Sequence, residues 1–372
     1  MEDRIYDYWV ATLQDGYIGE LAKIVDRAGG ARALHEMSEK GLREGLGLSA
    51  RLAGYIVKRQ EDICLVEKDY YRMGEKGISY VNHNDVDFPE KLKNIAGSPY
   101  GLFVKGALPN PLTPSVAIVG ARECSEYGRL MAEYFGDRLA REGVQIISGM
   151  AWGIDGIAQT AALNAGGRSY AVMGCGVDIT YPAKNRILYN RLCGDGNGII
   201  SEYAPGSPAI SRKFPPRNRL IAGLCDVLIV VEARAKSGTL ITVDMAIDQG
   251  RTVMVVPGRL TDSLSAGCIN LLYHGALPAT GVEAVLEQLG INRQIKLSDV
   301  FKAEADDRGM DIGEELERVL AVMKIEPQSI DEIAKAAKIG TDEAMIVLTK
   351  LEIGNLVRET VPGYFVKIYE PA

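Results

Sequence analysis

Short apolar runs, most of them rich in β-branched residues, recur along the middle of the chain. They are Val116–Val119, Gln145–Ile147, Tyr170–Met173, Gly198–Ile200, Val227–Val231 and Thr252–Val256, with helical stretches between them. Continuous apolar strands alternating with helices predict a parallel sheet covered on both faces, a doubly wound Rossmann-like α/β domain over residues 80–290. Before it the pattern is helical. Tyr8-Trp9-Leu13, Leu21-Ile24-Val25, Leu42-Leu46-Leu48 and Leu52-Ile56 recur at three- and four-residue spacing, broken by Gly16, Gly29-Gly30 and Gly47. Residues 1–75 therefore read as a small helical domain. Its segment 41–49, GLREGLGLS, resembles the hairpin of a helix-hairpin-helix or SAM-like module, which either presents backbone amides to phosphate or simply packs.

A polar stretch of mixed charge, 293–311, reads as a linker. Three helical patterns follow it, at 313–323, 329–337 and 341–353. Then Leu356-Val357, a Pro362-Gly363 turn and the alternating run 364–368 form a hairpin. Three helices and a hairpin make a winged helix over 312–370. Eleven acidic residues against seven basic ones between Glu314 and Glu370 suit a protein partner or structural packing better than phosphate.

The 372 residues carry a net charge of -7, which excludes binding of nucleic acid through a generally basic surface and confines any such site to a local patch. The six cysteines are scattered singly, and the three histidines are not clustered, so neither zinc nor a disulfide framework is expected. Cys175 and Cys225, in or beside apolar runs, read as buried and inert. Neither a signal sequence nor a membrane span is evident, which predicts a cytoplasmic protein with no membrane partner.

In a doubly wound domain, ligands bind beyond the carboxyl ends of the strands. The turns there are rich in small residues: 120–128, GARECSEYG, after the first strand; Ser148-Gly149 through Gly153 and Asp155 after the second; Gly174, Gly176 and Asp178 after the third, then Tyr181-Pro182, Lys184 and Asn185. Such turns bring backbone N–H groups close to an anion, and Arg122 adds a planar bidentate donor. The segment 214–223, FPPRNRLIAG, contributes Arg217, Asn218 and Arg219, with Arg212 and Lys213 just before it and no acid between Tyr203 and Cys225. Pro216 suits a first helical turn, which would set the two arginines near a helix N-terminus. Ser237-Gly238-Thr239 opens another helix. So many anion-friendly turns on one sheet edge exceed the need of a mononucleotide and fit an extended polyanion.

These motifs, in this order, resemble the DprA/Smf family of DNA-processing proteins. The match rests on the Gly120–Gly128, Ser148–Asp155, Gly174–Asp178, Tyr181–Asn185, Phe214–Gly223, Val231-Glu-Ala, Ser237-Gly238 and Val256–Gly258 blocks. The resemblance implies a non-enzymatic protein without a cofactor or metal that binds and protects single-stranded DNA in natural transformation. It further implies that the protein helps load the RecA recombinase and forms a homodimer. Carried over, Arg122, Lys184, Arg217 and Arg219 would contact phosphate, and Ser148, Gly149, Ser237 and Gly238 would offer donors. Asn185 and Asn218 would either bind phosphate or hold the turns. Asp155 and Asp178 would cap helices or brace loops. The segment 268–272, with Ile269 and Leu272, matches where the family self-associates.

Two other classes remain. A nucleotide phosphoribohydrolase of the lysine-decarboxylase-like group shares the Ser-Gly-Thr helix start, but here the glycine run is incomplete and the acid is Asp244, differently placed. A transcription regulator would use the winged helix, against its acidic balance. No P-loop is present, and the first turn lacks Gly-x-Gly-x-x-Gly, which disfavours ATP hydrolysis and a dinucleotide cofactor.

Overall fold

The computed structural model describes residues 3–16, 20–194, 196–291, 314–324, 326–353 and 356–367. Two compact units divide the chain, Met1–Ile291 and Asn292–Ala372. The linker predicted at 293–311 lies outside the described residues.

The first unit begins with five helices, α1 (Asp3–Thr12), α2 (Leu21–Ala28), α3 (Ala31–Glu36), α4 (Ala50–Gln60) and α5 (Ile63–Glu75). It continues as β1 (Ile78–Asn82), α6 (Glu90–Lys93), β2 (Gly101–Gly106), β3 (Ser115–Val119), α7 (Glu126–Arg141), β4 (Gln145–Ser148), α8 (Ile154–Asn164), β5 (Ser169–Val172), α9 (Arg186–Leu192) and β6 (Gly198–Ser201). Then come α10 (Phe214–Leu224), β7 (Val227–Val230), α11 (Gly238–Asp248), β8 (Thr252–Val255), α12 (Ala266–Tyr273), β9 (Leu277–Pro278) and α13 (Val282–Gln288). Each predicted strand is present to within one residue at either end.

One nine-stranded sheet holds the order β1-β2-β6-β5-β4-β3-β7-β8-β9. From β6 through β9 the pairs are parallel. In β3 to β7 every residue is buried, as expected of strands covered by helices on both faces. The chain winds outward from β3 through β4, β5 and β6, then returns to β7 on the other side of β3. The crevice at the switch point therefore opens at the carboxyl ends of β3 and β7.

Two strands escaped the apolar pattern. β1 and β2 pair antiparallel, with Ile78 opposite Lys105, and β2 pairs antiparallel with β6, Phe103 opposite Ser201. β1 alternates buried and more exposed positions, so it carries no continuous apolar run. Against this added edge pack the N-terminal helices. Tyr8 meets Phe103 and Tyr80 edge-on at 5.7 and 5.9 Å, Arg4 donates twice to Asp85 (2.6 and 2.7 Å), and Tyr100 donates to Asp7 (2.5 Å). A continuous buried cluster runs from Trp9 in α1 through Phe103 to Met173 and Leu188. Segment 41–49 forms a wide helical turn over Gly41–Gly45, a left-handed step at Gly47 (φ +66°), and then Ser49, which caps α4 by accepting from Leu52 N–H (3.3 Å).

Burial pushes the Cys175 and Cys225 thiols up to about 11 and about 12, in keeping with inert core residues. Among the described residues no helix is long and apolar enough to cross a membrane.

The second unit comprises α14 (Glu314–Val322), β10 (Gln328–Ser329), α15 (Ile330–Ala337), α16 (Thr341–Ile353), β11 (Val357–Val361) and β12 (Tyr364–Lys367). Its sheet order is β10-β12-β11, and Val319, Ile333, Leu348, Leu351 and Phe365 form its core. Ser329 and Glu332 close a capping box on α15. This is the winged helix that the periodicity predicts.

Candidate nucleic-acid interface

Loops at the switch point are laced together by side chains from neighbouring strands. Ser125 caps α7 by accepting from Gly128 N–H (3.0 Å), while its own N–H donates to Glu232 at the end of β7 (2.9 Å) and its hydroxyl donates to the same carboxylate. Thr239 donates to Gly120 O (3.2 Å), and Tyr127 donates to Pro257 O (2.8 Å). Between these loops lies a crevice of about 320 Å³ lined by Gly120, Arg122, Tyr181, Phe214, Asn218 and Gly238, among others. Ser237 caps α11 there, its hydroxyl accepting from Thr239 N–H (3.2 Å), and Gly238 is exposed with open space around it.

A second cavity, about 380 Å³, adjoins it between α7 and α8, and Arg122 lines both. Gly153 makes this arrangement possible. Its φ of +85° is left-handed, and a Cβ there would sit 2.4 Å from the carbonyls of Ala121 and Arg122. Only glycine lets the loop after β4 press against the loop after β3, which sets Trp152 beside Arg122. Asn185 fixes the same loop, donating to Met150 O (3.0 Å) and Ala151 O (3.2 Å). Of the two roles open to Asn185, the structure shows the bracing one.

Arg122 and Lys184 are exposed, and neither engages a carboxylate among the described residues. The Lys184 ammonium stands 5.1 Å from the Trp152 ring. Trp152 is 49% exposed and Tyr181 41%, the latter stacked on Phe214 with centroids 5.1 Å apart and planes 28° from parallel. Cations and rings thus share one edge. The aromatic residues were not among the expected site residues; a tryptophan amid glycine and alanine in a strand-to-helix loop was the available signal.

Other expected contacts are engaged by the protein's own groups, although Arg217 also lines the crevice. Arg219, expected to contact phosphate, is engaged within the protein. It donates to both oxygens of Glu202 (2.8 and 2.6 Å), to Gly97 O (2.8 Å) and to Pro216 O (2.9 Å), with side-chain exposures of 13% for Arg219 and 1% for Glu202. Burial alone would lower the Arg219 pKa, and Glu202 more than offsets it. Arg217 is likewise buried. Its guanidinium donates to Gly149 O (3.2 Å) and Val172 O, joining the ends of β4 and β5, and its Nε donates to Asn218 Oδ1 (3.2 Å). Burial pulls the Arg217 pKa down to about 10, with nearby Asp155 acting in the opposite sense, so it stays charged at neutral pH.

Ser148 is fully buried and donates to Ile118 O (2.6 Å), while the Gly149 N–H donates to Asp155 (3.0 Å). Neither group is offered to a ligand. Asp155 and Asp178 brace loops, the latter accepting from Gly206 N–H (2.7 Å). Burial raises the Asp155 carboxyl pKa, against the pull of Arg217 and the Gly149 N–H. At the far end of the sheet Ile269 is half-buried, and Leu272 packs onto the core cluster beneath β8.

A doubly wound sheet with a cationic and aromatic ligand edge, joined to a winged helix, defines the class of protein. Residues 79–290 match the family model described as DNA recombination-mediator protein A, and residues 303–363 match the DprA winged helix domain. The chain belongs to the DNA recombination-mediator protein A family, DprA/Smf. It is 43% identical over 201 residues to the DNA processing protein DprA of Streptococcus pneumoniae, spanning 54% of this chain and 71% of that one. It is 32% identical to Protein Smf of Synechocystis over 78% of this chain and 80% of the relative. The X-ray structure of the pneumococcal DprA superposes with a TM-score of 0.65 at 33% identity, over 77% of this chain and 98% of that chain. DNA processing protein A from Helicobacter pylori, whose structure describes a single-stranded DNA binding mode, superposes at 0.51 with 28% identity, over 57% of this chain and 95% of that one.

Proposed function

We propose that this protein binds single-stranded DNA along the carboxyl edge of its sheet, protects incoming strands in natural transformation and helps load the RecA recombinase onto them. The observation that carries the reading is the placement of Arg122 and Lys184, exposed and without carboxylate partners among the described residues, beside the exposed rings of Trp152 and Tyr181. A cationic track with stacking surfaces holds a strand whose bases are free. The single-stranded DNA binding mode of the Helicobacter relative supports it. The function is one of binding rather than catalysis. In support, Asp155, the acid that lines the crevice, is buried and accepts from the Gly149 N–H, and Glu232 accepts from the Ser125 N–H and hydroxyl.

A titration of oligo-dT against duplex of equal length, at two salt concentrations, tests the reading. The strand is expected to bind more tightly, with affinity falling as salt rises. Equal affinity for both forms, or release of free base from nucleoside monophosphates, would overturn it.

The protein acts as a homodimer through the β9 end of the sheet. Tyr273, closing α12, is 85% exposed, and Leu277 in the edge strand is 39% exposed, so these two carry the contact that Ile269 and Leu272 support from beneath. Tyr273→Glu is expected to shift sedimentation velocity toward monomer. An unchanged distribution would remove this face from the dimer.

A further inference from the structure

We infer that α16 of the winged helix is a self-association face, on which a second copy of this chain packs its own α16 antiparallel about Ile346. The inference goes beyond strand binding and is separate from the contact at β9.

The three residues 338–340 join α15 to α16, and Lys338 takes a left-handed conformation (φ +58°), which makes the two a helix-turn-helix pair. In a DNA-reading pair the N-terminal residues of the second helix contact base edges. Here those residues are Asp342 and Glu343, both exposed, and they repel a phosphate backbone. Beside them Met345 is 47% exposed and Ile346 59%, while Val347 and Leu348 are buried in the core behind. Acidic and apolar groups where a groove-reading surface would stand suit a protein partner.

The order of charge along the helix selects that partner. Asp342 and Glu343 lie in its first turn and Lys350 in its last, and none of the three has an ion-pair partner among the described residues. Ile346 stands midway, four residues from Asp342 and four from Lys350. A two-fold axis at Ile346 therefore sets Asp342 opposite the partner's Lys350, and Lys350 opposite the partner's Asp342, with the apolar pair between them. A parallel copy would oppose acid to acid. The face is thus complementary to itself, as an isologous contact requires. The helix macrodipole accounts for acids at the start and a base at the end, but not for Met345 and Ile346 left exposed between them.

One helix face buries less than the roughly 1,200 Å² of a stable complex, so the contact is reversible and a covalent bond captures it best. Ile346→Cys is made in the full chain together with Cys64→Ser, which removes the exposed native thiol, and Lys335→Cys on the exposed side of α15 serves as control. Both are oxidised with copper phenanthroline and followed on non-reducing gels. Ile346→Cys is expected to form a covalent dimer, and Lys335→Cys to remain uncross-linked. Adding Lys350→Glu should slow cross-linking about tenfold, as an attraction becomes a repulsion. Adding Asp342→Lys to that variant should restore it. Equal cross-linking at both positions, none at Ile346→Cys, or a rate indifferent to Lys350→Glu would overturn the face. Oligo-dT binding by the same variants tests the strand-binding reading separately.

Discussion

Arg219→Ala is expected to lower the stability of the first unit by about 3–5 kcal/mol, the usual cost of leaving a buried charge without its partner. The variant strands Glu202, whose side chain is 1% exposed, with Gln14 as its remaining side-chain hydrogen-bond partner (3.0 Å) among the described residues. It also removes the donor to Gly97 O, which ties α10 to the segment before β2, and the donor to Pro216 O within α10 itself. Thermal and denaturant unfolding would both register the loss. Pairing Arg219→Leu with Glu202→Gln should recover part of it, because no uncompensated charge then remains. A single variant as stable as the parent but weakened toward oligo-dT would mean that Arg219 faces the strand after all.

Arg122→Ala combined with Lys184→Ala is expected to do the reverse. Both side chains are exposed and without carboxylate partners among the described residues, so removal leaves nothing buried and unsatisfied. Unfolding should be unchanged within the scatter of surface substitutions, roughly 0.5 kcal/mol. Strand affinity should fall steeply: hydrogen bonds to charged groups contribute about 1.5–3 kcal/mol each, so the pair is expected to lose on the order of a hundredfold or more at low salt. Retained affinity in a folded double variant would remove the track from this edge.

The contrast between these two substitutions marks what could be read from residue order. Six parallel strands and the winged helix were legible because burial on both faces, or on one, writes itself as runs and alternation. β1 and β2 were passed over because their signals are short: β1 alternates in burial over only five residues and ends on buried Asn82, and the apolar run of β2 is Leu102-Phe103-Val104 alone. The Arg-Asn-Arg block looked like a basic patch because no acid lies between Tyr203 and Cys225. The decisive acid, Glu202, stands one residue before that window, on the end of β6, and only the sheet brings it to α10. The burial of Arg217 was hidden for a similar reason, as its carbonyl partners Gly149 and Val172 come from two other strand ends. Ser148 looked like a turn donor but is the buried last residue of β4. Arg122 and Lys184 lie exposed at the crevice edge, where their neighbours in sequence are also their neighbours in space. Trp152 was passed over because exposure of an apolar ring is a property of the folded surface.

The edge formed by Arg122 and Lys184 is tested most directly by the slope of log affinity for oligo-dT against log salt concentration, in the parent and in the double variant. Each phosphate neutralised contributes about 0.7 to that slope on a single strand. The slope should therefore flatten by roughly 1.4 in the double variant, with unfolding unchanged. An unaltered slope in a fully folded variant would contradict the placement of the strand at this edge.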